Sequence, residues 1–276
     1  MFNRRIKVLL YWLTKEKFNV SLIEIGKFIF KPKARSIALR YIDKSSQEGD
    51  FIKVSFHSLK NVLYWPANYG LDHLYQVCAE TFDVNDWHRY ECYNTEVSQD
   101  DVVVDVGAAE GLFSLSILGR CKKILIVEPN KLFVKALSKT FHDHTLQKVA
   151  IFNVATGDIE AKVAIREDDI SSNITADSCG EEVQMMTLDA LLKDKGPIDY
   201  IKADIEGYEI KMLAGAAETI KKYKPKMAIT CYHADNDYQQ IIDFVTGLVP
   251  EYKCILRGVT QFDGKPIMAH FHIKDK

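Results

Sequence analysis

Residues 102–106 read VVVDV and run straight into Gly107-Ala108-Ala109-Glu110-Gly111. Four β-branched residues around one carboxylate leave no polar face. Such a strand is buried on both sides, the habit of parallel sheets covered by helices. The small-residue turn behind it lets the backbone approach a ligand and lets the next helix pack tightly. It is not the dinucleotide fingerprint, because G-x-G-x-x-G is missing. It fits D-x-G-x-G-x-G with Ala109 at the middle glycine.

The same alternation continues downstream. Apolar runs at 124–127, 149–154, 198–203 and 227–232 predict further buried strands. Helical periodicity falls at 112–118, 131–141, 188–193 (capped by Thr187, with Asp189 in its first turn), 208–223 and 238–248. Two last strands, 252–256 and 267–273, join through Asp263-Gly264 as an antiparallel hairpin. The expectation is an α/β fold: a seven-stranded, mostly parallel sheet with helices on both faces. A short extra strand is expected at 163–165. The polar stretch 166–182 reads as a long loop, of the kind that serves as a lid or binding loop.

Upstream, residues 1–65 read as an extension and 66–276 as the main domain. The first 35 residues carry nine Lys and Arg against Glu16 and Glu24, on two short amphipathic helices. A basic amphipathic start can lie on an anionic membrane surface. An arm packed on the main domain is the commoner outcome and is weighted more heavily. Runs at 37–42 and 51–56 suggest a hairpin around the polar turn 43–50. Residues 61–70, with Trp65 and Pro66, read as an aromatic loop, followed by helices at 71–83 and 87–97.

With a net charge of −2 and pI near 6.5, no global basic field draws nucleic acid. The six cysteines are dispersed without a C-x-x-C pair, which suits reduced thiols in a cytoplasmic protein. The apolar run Val8 to Leu13 is too short for a signal core or a membrane span. Oligomeric state is not legible.

Candidate chemistry gathers at strand ends, where α/β sheets bind ligands. Glu128 closes the second strand and can take both hydroxyls of a ribose. Lys202, Asp204, Glu206 and Glu209 cluster after the fourth strand, Lys202 and Asp204 on one face by alternation. His233 follows the fifth, beside Asp204 if the two strands are neighbours. Met185 and Met186 read as core, and Cys231 as strand packing. His270 and His272 share one side of the last strand without a third metal ligand.

In order, DVVVDVGAAEG at 101–111, IVEP at 126–129, TLDALL at 187–192, IKADIEGYEIKMLAGA at 201–216 and KPKMAITCYH at 224–233 resemble the FkbM-type methyltransferases. The resemblance spans about residues 90–250. It implies the class I Rossmann-like fold and S-adenosylmethionine-dependent O-methylation. Many members act on sugar hydroxyls of polyketide glycosides or surface polysaccharides, so a small-molecule or glycan acceptor is implied; the basic amino-terminal arm adds the expectation of a membrane surface or a lipid-linked glycan. By position, Asp105 and Gly107 to Gly111 would carry the methionine part of the cofactor, Glu128 the ribose, and Ala155 the adenine side. Asp204, Glu206 and His233 would face the acceptor. The GAAEG form departs from the commoner G-A-N-x-G, which leaves the role of Glu110 open.

Methylating a hydroxyl calls for a base. His233 is the first candidate, Asp204 the second and Lys202 the remaining one. Asp204 is alternatively a ligand for a divalent cation, and metal dependence stays open. The rival classes are a nucleotide- or dinucleotide-dependent oxidoreductase and a non-catalytic cofactor-binding module. Acceptor specificity is expected in the 166–182 loop, the Trp65 region and the N-terminal arm.

Overall fold

The computed structural model describes residues 2–144, 147–168, 171–175, 181–233 and 237–274. The amphipathic start forms α1 (Phe2–Thr14) and α2 (Leu22–Ile29), followed by a short α3 (Ala34–Ala38). Ser21 opens α2 with a capping box: its hydroxyl accepts from Glu24 N while Glu24 reaches back to Ser21 N. Val8, Trp12, Phe18, Val20 and Ile25 pack against Trp87 and Val259 of the main domain.

The polar stretch expected as a turn is itself a strand, β1 (Ile42–Glu48), paired antiparallel to β2 (Phe51–Phe56). It lies at a sheet edge with its residues largely solvated, a position where Lys, Ser and Gln are tolerated. The expected strand at 37–42 is instead mostly the end of α3 and a turn. β3 (Leu63–Pro66) completes this sheet from within the expected aromatic loop. Trp65 is 0% exposed, so it belongs to the core and offers nothing to an acceptor. Helix α4 (Gly70–Phe82) follows, but 87–97 is irregular, not helical.

The main sheet contains β4 (Val102–Val106), β5 (Lys123–Val127) and β6 (Val149–Phe152), separated by α5 (Leu112–Ile117) and α6 (Lys131–Thr140). A two-residue strand, β7 (Ala155–Thr156), then leads into β8 (Ala161–Asp168), β9 (Ser171–Thr175) and β10 (Glu181–Met186). These form a second sheet in the order β7-β10-β8-β9. Most of the expected 166–182 loop is thus strand; residues 169–170 and 176–180 lie outside the described residues.

The chain returns through α7 (Leu188–Leu192), β11 (Tyr200–Ala203), α8 (Glu209–Ala214), α9 (Ala217–Tyr223), β12 (Lys226–Thr230), α10 (Tyr238–Leu248), β13 (Tyr252–Arg257) and β14 (Met268–Ile273). The helix expected over 208–223 breaks at Gly215. A Cβ there would meet Gly157 O at 2.0 Å, so the helix kinks where it touches the β7 turn. Asp189 caps α9, accepting from Glu218 N and Thr219 N at 3.0 and 2.7 Å, rather than serving its own helix.

The main sheet runs β13-β14-β12-β11-β4-β5-β6. All its strands are parallel except β14, which is antiparallel to both neighbours. Alternate residues of β4 divide between two cores: Val103 faces α4 and α5, while Val102, Val104 and Val106 face α7 to α10. Each fully buried aliphatic side chain contributes about 1.5–3 kcal/mol. The strand order reverses between β4 and β11, which opens a crevice at their carboxyl ends.

Candidate active site

At that crevice lies a cavity of about 390 Å³. The β4 turn, Glu128 and Pro129, Val154 to Thr156, the end of β11 and one side of α4 enclose it.

The turn is held from below. Asp105 is wholly buried, accepts from Ser114 Oγ at 2.7 Å and faces Lys202 Nζ at 3.1 Å. Lys202 also donates to Gly107 O. Burial opposes the ammonium charge, but Asp105 and Asp204 outweigh it and hold the pKa above the usual lysine value. Lys202 therefore braces the turn, and its proton is not readily given up. Gly107 has φ 67°, and a Cβ there would lie 1.9 Å from Asp204 O. Its glycine is required by the neighbouring strand end rather than by space for a ligand. Gly111 has φ 81°, and its Cβ would meet Leu137 at 2.4 Å, so it lets α5 pack against α6. Ala109, in the middle-glycine position, adopts the left-handed conformation at φ 46°.

Glu128 is buried behind this turn. Its two oxygens accept from Ala109 N and Asn130 N, both at 2.8 Å. Burial pushes its pKa up to about 7 against those hydrogen bonds. Glu110, also buried, accepts from Leu112 N at 3.2 Å and so caps the start of α5. Burial raises it to about 7 as well. Ala108, Ala109, Glu110 and Ala155 all line the cavity; Asp105 and Gly111 stand behind it.

Across the cavity, the β11–α8 turn is drawn together by Glu209. This carboxylate is 0% exposed and accepts from Ile205 N, Gly207 N and Thr230 Oγ1 at 3.1, 2.9 and 2.9 Å. Glu206 takes the left-handed conformation there at φ 54°. For a non-glycine residue this costs roughly 1–2 kcal/mol.

β11 and β12 are neighbours, so His233 arrives beside Asp204. His233 Nδ1 lies 2.9 Å from Glu209 Oε1, and Nε2 lies 3.2 Å from Glu206 Oε2 and 3.7 Å from Asp204 Oδ1. Burial lowers the His233 pKa, but Glu209, Asp204 and Glu206 together raise it to about 9. Asp204 accepts from Tyr90 Oη at 2.7 Å, with His88 Nε2 at 3.7 Å. Burial raises its pKa, yet His88, His233, Lys202 and the Tyr90 hydroxyl bring it below the usual aspartate value.

The structure thus brings Asp204, Glu206 and His233 together, with His233 behind the two carboxylates that line the cavity; Lys202 lines the same cavity but is committed to Asp105 and the β4 turn. It also adds His88, Tyr90, Glu80 and Tyr232, which line the same space and were not singled out from sequence. Tyr90 is anchored from behind, since Tyr200 Oη donates to its carbonyl. The alternation His88-Arg89-Tyr90 was the only local signal, in a segment read as helix. His270 is buried against Thr95 with its pKa lowered by burial to about 3, away from this site.

Residues 105–253 match the family described as the Methyltransferase FkbM domain. Among solved structures, the chain is similar to methyltransferase FkbM from Methylobacillus flagellatus KT, at 20% identity and a TM-score of 0.52. That match covers 92% of this chain and 63% of the other, so the chain spans less than two thirds of that relative. It is also similar to an rRNA methylase from Streptococcus thermophilus, at 14% identity, 64% and 89% coverage and a TM-score of 0.42. A third is the Streptococcus mutans protein SMU.1697c in complex with SAH, at 11% identity, 64% and 91% coverage and a TM-score of 0.42. At 20% identity the likeness to the Methylobacillus flagellatus structure is one of fold. No curated protein matches the chain by sequence.

Proposed function

The chain belongs to the FkbM methyltransferase family, and from that membership we propose an S-adenosylmethionine-dependent O-methyltransferase acting on a hydroxyl of a sugar, glycan or secondary metabolite. S-adenosylmethionine supplies a methyl group on a cationic sulfonium, already activated for displacement.

The observation that carries this reading is the charge of the cavity. Five carboxyl groups, Glu80, Glu110, Glu128, Asp204 and Glu206, line it against Lys202; burial raises the pKa of Glu80, Glu110 and Glu128, and a bound cation would draw them back toward the ionised form. An acidic wall suits a sulfonium and an α-amino group. It is unsuited to the pyrophosphate of a dinucleotide, which needs N–H donors and cations. Gly107 to Glu110 would hold the methionine end and Glu128 the ribose, with Val154 and Ala155 on the adenine side. Tyr90 and His88 fix the Asp204 carboxylate at the opposite end, where a hydroxyl acceptor would enter.

Alignment of the two reactants can supply about 7–11 kcal/mol of the barrier. The acceptor must also lose a proton. Three carboxylates keep His233 as the imidazolium at neutral pH, so it cannot begin as the base. Asp204 is ionised, and in this reading it accepts the hydroxyl hydrogen as the methyl arrives. General-base catalysis of this kind is typically worth about 10²–10⁴-fold. The test is transfer of a labelled methyl to a panel of hydroxylated glycosides. Asp204→Asn should lower kcat at least about a hundredfold, with S-adenosylmethionine affinity within about threefold. Full turnover by Asp204→Asn would move the base elsewhere.

A further inference from the structure

We propose that Asp204, Glu206 and His233 form a divalent-cation site at the acceptor end of the cavity. Each offers one ligand atom, all within 4.8 Å of one another. Glu209 orients the imidazole: an ionised carboxylate only accepts, so Nδ1 keeps its hydrogen, and a cation would take the Nε2 position from the second proton of the imidazolium. This is the outer-carboxylate arrangement that orients a metal-bound histidine. His233 is only 8% exposed, and its Nε2 is buried with no aligned hydrogen-bond partner. It points between Glu206 Oε2 at 3.2 Å and Asp204 Oδ1 at 3.7 Å.

Two carboxylates face Nε2 across a gap that holds positive charge: the imidazolium proton without a metal, or a divalent ion in its place. Cis ligands of an octahedral ion with bonds near 2.1 Å stand about 3.0 Å apart, and longer bonds widen the spacing. The 3.2 Å separation is close to that spacing, and the 3.7 Å one corresponds to bonds of about 2.6 Å or to a small inward shift of Asp204 on binding. One imidazole and two carboxylates favour Mn²⁺ or a similar first-row cation, with Mg²⁺ as the hard alternative. Asp204 and Glu206 also line the cavity, so the remaining coordination positions open toward it. An acceptor hydroxyl oxygen would complete the shell there, a use that rests on the methyl-transfer reading.

The experiment is Mn²⁺ titration of the full chain, followed by the loss of the free-ion paramagnetic resonance signal. One ion per chain is expected, bound at least tenfold more weakly by His233→Gln and Glu206→Gly. Glycine at 206 relieves the left-handed backbone, so thermal melting of Glu206→Gly should not fall, which separates lost ligation from lost fold. No stoichiometric uptake by the wild type, or equal affinity in both variants, leaves only a proton in the gap and overturns the proposal. A parallel S-adenosylmethionine titration keeps the two readings apart. Cofactor binding without Mn²⁺ binding defeats the cation site alone, and the reverse defeats the methyl-transfer reading alone.

A different observation concerns the amino-terminal helices. Val8 and Trp12 of α1 are buried against the domain, yet Ile6, Leu10 and Leu13 form an exposed apolar stripe on the opposite side. Leu22 and Ile23 of α2 and the following Phe30 are likewise exposed, Ile23 by 74% and Phe30 by 82%. Among the described residues, seven of the twelve exposed large apolar side chains lie before residue 40. A helix that is apolar on two sides calls for a second apolar partner.

Exposed Arg4, Lys7, Lys17, Lys33 and Arg35 surround these positions. We infer that this face docks on an anionic lipid surface, with the apolar side chains in the interface and the basic ones at the headgroups. No described helix is long and apolar enough to cross a membrane.

Co-sedimentation of the full chain with phosphatidylserine-containing and pure phosphatidylcholine vesicles tests this. Binding should require phosphatidylserine, fall at least fivefold between about 50 mM and 500 mM salt, and be lost in a Leu10→Ser, Leu13→Ser, Ile23→Ser variant that still binds S-adenosylmethionine. Absent or charge-independent binding overturns the inference. So does a wild-type dimer that the triple variant dissolves, since a second copy would then cover the face.

Discussion

Glu128→Gln tests the cofactor end of the cavity in one substitution. Burial shifts the wild-type carboxyl from 4.5 to about 7 against the Asn130 and Ala109 amides, with smaller opposing effects of Lys202 and Asp105. Only the ionised form offers charged acceptors to the ribose hydroxyls. A pKa near 7 leaves about one molecule in eleven ionised at pH 6 and about ten in eleven at pH 8. S-adenosylmethionine affinity should therefore rise roughly tenfold across that interval, with release of a proton. The sign for folding is opposite. A carboxyl whose folded pKa exceeds its unfolded one stabilises most below the unfolded value and loses that contribution as pH rises through about 7. In Glu128→Gln, one amide oxygen replaces two acceptors, so either Ala109 N or Asn130 N is left facing an NH₂ group. An unsatisfied buried donor costs the fold about 1–3 kcal/mol, and the loss of a charged acceptor to the ribose costs binding about 1.5–3 kcal/mol, so affinity at pH 8 should fall about tenfold or more. Its pH dependence between 6 and 8 should largely vanish. Isothermal titration in two buffers of different ionisation enthalpy reads both affinity and proton release. A flat wild-type profile, or an unchanged slope in Glu128→Gln, would refute the assignment.

Three further outcomes follow from the packing. Gly107→Ala should lower stability by more than about 2 kcal/mol in urea unfolding and abolish cofactor binding, because its Cβ meets the Asp204 backbone in a left-handed turn. Gly111→Ala should cost about 1–3 kcal/mol through overpacking against Leu137 and Phe141, with cofactor affinity reduced less than in Gly107→Ala. Lys202→Met should destabilise by about 3–5 kcal/mol, because it strips the ion-pair partner from fully buried Asp105. A Lys202→Met protein that unfolds like the wild type but turns over slowly would restore Lys202 as a catalytic group.

The main sheet was legible because a strand buried on both faces needs apolar residues at every position. Runs such as 102–106 and 124–127 therefore stand out without any help from periodicity. Glu128, Asp204 and His233 could be placed because strand ends bear ligands whatever the loops do. β1 was hidden because an edge strand with both faces solvated keeps no apolar alternation. The 166–182 stretch misled for a related reason: much of it pairs by backbone hydrogen bonds, which its polar side chains do not announce. His88 and Tyr90 were missed because their irregular segment is positioned by tertiary anchors, Tyr200 Oη on the Tyr90 carbonyl and the Trp87 ring in the arm core. His233 follows β12 and stands beside Asp204, as expected from the strand order, but its state depends on Glu209, whose side chain turns back under the loop. That contact determines whether the imidazole begins with or without its proton, and no spacing rule reveals it.

The central claim is that the acidic crevice between β4 and β11 is a sulfonium-cofactor site. Its most direct test is calorimetric titration of the purified chain with S-adenosylmethionine and, separately, with NAD. One S-adenosylmethionine should bind per chain, more weakly in Glu128→Gln, and NAD should give no heat of binding. Binding of NAD, or no binding of S-adenosylmethionine at pH 8, would contradict it.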